Sequence, residues 1–161
     1  MNLIPKLTIK ITESFDRIAR TIFLIIVALV VGNVIFRFFG RPFGGCYEWV
    51  GFLMASAISL ALSYCAAQEG HVAVTILVER LSKKNQMKVD IIVNILILLF
   101  LLMTVRMLIL YGNRMFAGGY IGMTTKVPMH YFAYIIALGF VGYSLVLYGN
   151  LVESIKKVSR K

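Results

Sequence analysis

Four long apolar stretches dominate this chain, Thr21 to Phe36, Trp49 to Ala67, Val89 to Tyr111 and Val127 to Leu151, and their central turns hold almost nothing that ionises. A helix needs about 20 apolar residues to cross the hydrocarbon of a bilayer, at roughly 1.5 Å of rise per residue. The first stretch reaches that length if Arg37 snorkels, so that Phe38 and Phe39 sit at the interface. β-Barrel strands would alternate polar and apolar residues, which these stretches do not. With 161 residues and 60% hydrophobic content, no separate soluble domain fits. The expectation is an all-α membrane protein, one transmembrane domain over residues 1–161 with spans near 21–39, 49–67, 89–111 and 127–151.

The net charge of +10 takes its meaning from where the basic residues fall. Lys6, Lys10, Arg17 and Arg20 precede the first span; Arg80, Lys83, Lys84 and Lys88 separate the second and third; Lys156, Lys157, Arg160 and Lys161 follow the fourth. The opposite side carries only Arg37, Arg41, Arg114 and Lys126 in its loops, with Arg106 inside span three. The positive-inside rule then places both termini in the cytoplasm, and the basic residues read as topology and contact with anionic phospholipid, not nucleic acid. The first stretch is longer than a signal-peptide core and lacks a small-x-small cleavage site, so it reads as a retained anchor. Cys46 and Cys65 lie about 28 Å apart along one helix, far beyond disulfide reach.

Before span one, Ile4, Leu7, Ile11 and Ile18 share a helical face opposite Lys6, Lys10, Glu13 and Arg17. This predicts an amphipathic helix near 4–20, lying in the headgroup layer or running directly into the span. Within span two, Gly51, Ala55, Ser59, Ser63 and Ala67 recur every four residues, a ridge of small side chains along which another helix can approach closely. After it, His71, Val74, Leu77, Val78 and Leu81 belong to a second amphipathic segment, near 71–82, that is too short and polar to cross. It is expected to anchor on the cytoplasmic face. Arg106, five residues before Tyr111, is read as reaching the outer headgroups. Thr124 and Thr125 read as caps of a helix with Pro128 in its first turn.

No constellation suggests catalysis. His71 and His130 fall on opposite sides of the bilayer, so one haem could not use both, and neither has a second ligand at helical spacing. Paired carboxylates, phosphate loops and nucleophile motifs are missing from the spans. Four-span small exporters carry a glutamate embedded in their first span; this chain has none there. A stand-alone exporter or a membrane-anchor subunit remains the alternative reading.

Tyr47-Glu48-Trp49 at the start of span two, Glu69-Gly70-His71-Val72-Ala73-Val74 after it and the following Glu79-Arg80-Leu81 resemble the small membrane subunit of tripartite ATP-independent periplasmic (TRAP) transporters. Thr75 stands where the family often has Asp, and Glu48 is single where an acidic pair is frequent. The resemblance implies a three-part, sodium-driven uptake system in the inner membrane for an organic acid such as sialic acid or a C4-dicarboxylate. A periplasmic binding protein delivers the substrate, and a large membrane subunit holds the sodium and substrate sites and moves elevator-fashion. This chain would be the bracing scaffold of a 1:1 heterodimer, with no cofactor and no enzymatic activity of its own. Arg37, Arg41, Glu48, Arg106 and Arg114, on the expected outer side, are candidates for contact with the binding protein or the large subunit.

Overall fold

A computed structural model describes residues 3–41, 43–68 and 83–159 as four helices: α1 (Leu3–Phe38), α2 (Cys46–Ala67), α3 (Lys83–Ala117) and α4 (His130–Ser159). The described residues form no strand beyond an isolated bridge between Ile121 and Pro128 in the loop from α3 to α4. Each helix is long and apolar enough to cross a membrane, over Lys10–Phe38, Cys46–Ala67, Ile91–Ala117 and His130–Val152. The chain is therefore all-α with four spans. The amphipathic segment expected near 71–82, with His71, Val74, Leu77, Val78 and Leu81, lies outside the described residues.

Of the two courses expected for residues 4–20, the segment runs directly into the first span, the two being parts of one unbroken helix of 36 residues. At about 54 Å it far exceeds the roughly 30 Å of hydrocarbon. α3 runs on past Tyr111 to Ala117. α4 starts at His130, so Pro128 sits in the bridge to Ile121 and not in the first helical turn. Its expected caps, Thr124 and Thr125, donate instead to the carboxylate of Glu48.

The helices are neighbours in the order α1, α2, α4, α3, with a lighter contact between α1 and α4. α2 and α4 form the centre, with 33% and 39% of their apolar windows buried against 11% for α1 and 6% for α3. The buried stripe of α1, with Thr12, Ala19 and Ile26, begins well before the apolar stretch, so that early part of the helix already belongs to the bundle. Small side chains close much of this core: Ala19, Ser56, Ala57, Ser59, Ser63, Ala66, Ala133 and Ala137 are buried, as is the larger Leu147, which is wholly inaccessible. Lipid tails are as apolar as leucine, so helices gain little by hiding apolar groups from them. They gain by close packing of backbones, which needs such residues.

Candidate functional site

Helices α2 and α4 approach each other closely. A Cβ at Gly139 would lie 2.5 Å from the carbonyl carbon of Ser59, 2.6 Å from its oxygen and 2.9 Å from the nitrogen of Leu60, all backbone atoms that no rotamer change can move. At Gly142 a Cβ would come within 2.7 Å of the Phe15 ring and 3.3 Å of the Ser63 Cβ, so α1 reaches the same crossing. The four-residue ridge is thus split. Ser59 and Ser63 are buried, Ala67 is half-buried, and Gly51 and Ala55 are exposed, with open space around Gly51. Four residues turn a helix by roughly 400°, so a strict four-residue row winds about 40° further round at each step and leaves any one neighbour.

The serines at this crossing do not bond across it. Ser56 Oγ donates to the Phe52 carbonyl at 2.8 Å, Ser59 Oγ to that of Ser56 at 2.9 Å and Ser63 Oγ to that of Leu60 at 2.7 Å, each within α2. Ser144 does the same in α4, to Phe140 at 2.9 Å. A hydroxyl satisfied by its own helix behaves towards a neighbour as a small, nearly apolar bump. These residues act as spacers, and the seam is set by their size.

At the end carrying the 39–45 and 118–129 loops, polar contacts take over. Glu48, in the first turn of α2, accepts from the Thr124 N–H at 3.0 Å on one oxygen, and from the Thr125 N–H at 3.0 Å and hydroxyl at 2.9 Å on the other. The loop so held turns tightly, with the Gly122 N–H donating to Val127 at 2.9 Å and the Lys126 N–H to Gly122 at 3.1 Å. Gly45 admits Thr125 here: it sits at φ 80°, and a Cβ would come 2.7 Å from the threonine methyl. The other loop is tied back through the Phe43 N–H, which donates to Asn33 Oδ1 of α1 at 2.9 Å. Rings finish the seams: Phe132 stacks on Phe52 at 4.6 Å and meets Trp49 edge-on at 6.2 Å. Tyr134 donates to Asn113 Oδ1 at 2.8 Å across α4 and α3.

Of the charged candidates, Glu48 is engaged inside the chain. Arg37, Arg41 and Arg114 are exposed around the same end, and Arg106 is exposed within α3. Among the described residues the one ion pair joins Arg20 and Asp16, a turn apart on α1. His130 packs against the rings of Phe116 and Tyr131. No group of three or more His, Cys, Asp and Glu among the described residues could hold a metal ion, and Cys46 and Cys65 are both free thiols. Sequence reasoning missed the Glu48 clamp, whose partners lie 76 and 77 residues away. It also missed Gly139 and Gly142, though two glycines three apart inside an apolar span were a readable signal of close approach.

No curated protein and no solved structure matches the chain. Residues 26–157 match the family of tripartite ATP-independent periplasmic transporters, DctQ component, a family of transporter parts and not of enzymes. The match covers about the last third of α1, the 39–45 and 118–129 loops and nearly all of the other three helices, including the Ser59–Gly139 crossing and the Glu48 clamp. Four spans in this packing and a match over most of its length make the chain a multi-pass inner-membrane protein that belongs to the DctQ component family of TRAP transporters.

Proposed function

We propose that this chain is the small accessory subunit that braces the large membrane subunit of a TRAP transporter, in a 1:1 complex, during sodium-driven uptake of an organic acid. The observation that carries the reading is the family match laid on a bundle whose central seam is closed by glycine, alanine and self-satisfied serine. Such a seam suits a part that holds its shape, whereas moving a charged solute calls for ionisable groups facing a pathway. Sodium and substrate, a sialic acid or C4-dicarboxylate type of acid, bind in the large subunit. The basic flanks of α1 and α4 support a cytoplasmic location for both termini. The loop end then faces the periplasm, where Arg37, Arg41 and Arg114 steer an acidic face of the loaded binding protein.

Co-purification and reconstitution test this. The tagged chain, expressed with the large subunit, is expected to pull it down one to one. Proteoliposomes holding both are expected to accumulate labelled acid when binding protein and a sodium gradient are supplied, and to lose that uptake without the small chain. A homo-oligomer that leaves the large subunit behind would sink the proposal and favour a stand-alone exporter.

A further inference from the structure

Arg106 points away from its own bundle at mid-depth of a span. Among the described residues α3 packs on α4 alone, apart from contacts too sparse to form a seam. Its buried positions, Leu101 and Gly112, lie roughly 140° and 120° round the helix from Arg106. On the arginine's own side stand Leu99, Leu102, Met103 and Leu110, exposed by 60%, 53%, 65% and 42%, and Arg106 is itself exposed. No described residue pairs with it.

The depth follows from the neighbours. Tyr134 lies over Gly112 and His130 over Phe116, so α3 and α4 run antiparallel with these residues level. Equal steps along both helices bring Arg106 close to the level of Phe140, beside the Gly139 crossing. The apolar span Ile91–Ala117 has its midpoint at Thr104, two residues away. Because α3 continues to Ala117, the loop end lies about 16 Å along the axis from Arg106, well beyond the distance to Tyr111. Snorkelling that way also works against the lean of helical side chains towards the helix N-terminus, which for α3 is the far end.

An arginine facing lipid at that depth is costly, and such residues mark contacts with protein or water-filled cavities. The other spans offer no rival: residues 21–36 of α1, 49–67 of α2 and 131–151 of α4 contain no Asp, Glu, Lys, Arg or His. Of all the outward faces, the Arg106 stripe is the one that bare lipid suits least.

We propose that the Arg106 stripe of α3 is the face that seats against the large membrane subunit, and that Arg106 meets there a carboxylate on a facing transmembrane helix. This rests on the reading of the chain as the small subunit. The guanidinium presents a planar fork that a carboxylate can meet with two parallel hydrogen bonds, and away from water such a pair fixes register as well as partner. The leucines and methionine around it would exclude lipid from the pair.

The test uses the chain co-expressed with its large subunit in native membranes. A photo-crosslinking residue placed at Leu99 or Met103 is expected to capture the large subunit. R106L is expected to leave the yield of the small chain alone unchanged or higher, while lowering recovered complex tenfold or more, because it strands the partner's carboxylate. R106K, which keeps the charge but not the planar fork, is expected to recover complex at a level between those of R106L and the wild type. Should wild-type complex purify while both probes label only lipid, or R106L complex be recovered at the wild-type level, the face is lipid-exposed; this inference falls and the family reading stands. If the wild-type chain recovers no large subunit at all, both fall.

Discussion

Replacing Gly139 with alanine tests the close approach of α2 and α4 directly. The new Cβ would lie 2.5 Å from the Ser59 carbonyl carbon and 2.9 Å from the Leu60 nitrogen. Ordinary contact needs roughly 3.5 Å, so α4 must back away by about 1 Å, which forfeits a quarter to a half of the dispersion well for each atom pair at the crossing. Overpacking costs about 1–3 kcal/mol, and the upper end applies because the obstacle is backbone. Better helix propensity returns about 1 kcal/mol. The net expectation is a loss of about 2 kcal/mol, near a 30-fold fall in the folded-to-unfolded ratio. Titration with denaturing detergent in mixed micelles, followed by far-ultraviolet circular dichroism, measures it against Gly51→Ala and Gly149→Ala. Nothing lies within 4 Å of either control site. Alanine there is expected to be neutral or to stabilise by up to about 1 kcal/mol. If Gly139→Ala were as stable as these two, the helices would not touch at Ser59 and the proposed seam would be wrong.

Two further substitutions separate size from hydrogen bonding at the same crossing. Because the Ser63 hydroxyl bonds within its own helix, Ser63→Ala is expected to cost less than about 1 kcal/mol in the same titration. Ser59→Leu, which drives a large side chain into the α4 backbone, is expected to cost about 3 kcal/mol or to prevent recovery of folded protein. Equal losses for the pair would show that the serines act through hydrogen bonds after all. At the loop end, Glu48→Ala removes the acceptor of both amides and is expected to speed hydrogen exchange at Thr124 and Thr125 while exchange in the helix centres stays slow. Unchanged exchange there would mean that the tight turn at 122–127 holds its shape without the carboxylate.

Which parts of this architecture could be read in advance follows from the range of the interactions involved. Hydropathy belongs to one segment, so four spans were legible in the four stretches. Tyr47-Glu48-Trp49 at the start of span two, with Glu69 to Val74 and Glu79-Arg80-Leu81 after it, together pointed to the family, although the last two lie outside the described residues. Reading boundaries was harder where polar groups are satisfied from elsewhere. Thr124 and Thr125 look like helix caps until Glu48 is seen to take their donors, and α4 then starts at His130. Arg106 looked close to an end because hydropathy placed the end at Tyr111; the helix itself continues to Ala117.

The sequence by itself determined that the chain is helical, crosses a membrane four times and keeps charge out of nearly all of its spans. Those properties are sums over neighbouring residues, and burial in lipid demands them of each helix separately. Only the tertiary structure decided which half of the small-residue ridge is used, that the order of neighbours is α1, α2, α4, α3, that Glu48 is a clamp, and that Arg106 faces outward. Those depend on where two helices cross. A crossing is chosen by the few places where backbones can come closest, here Ser59 on Gly139, far apart in the chain and joined only by packing.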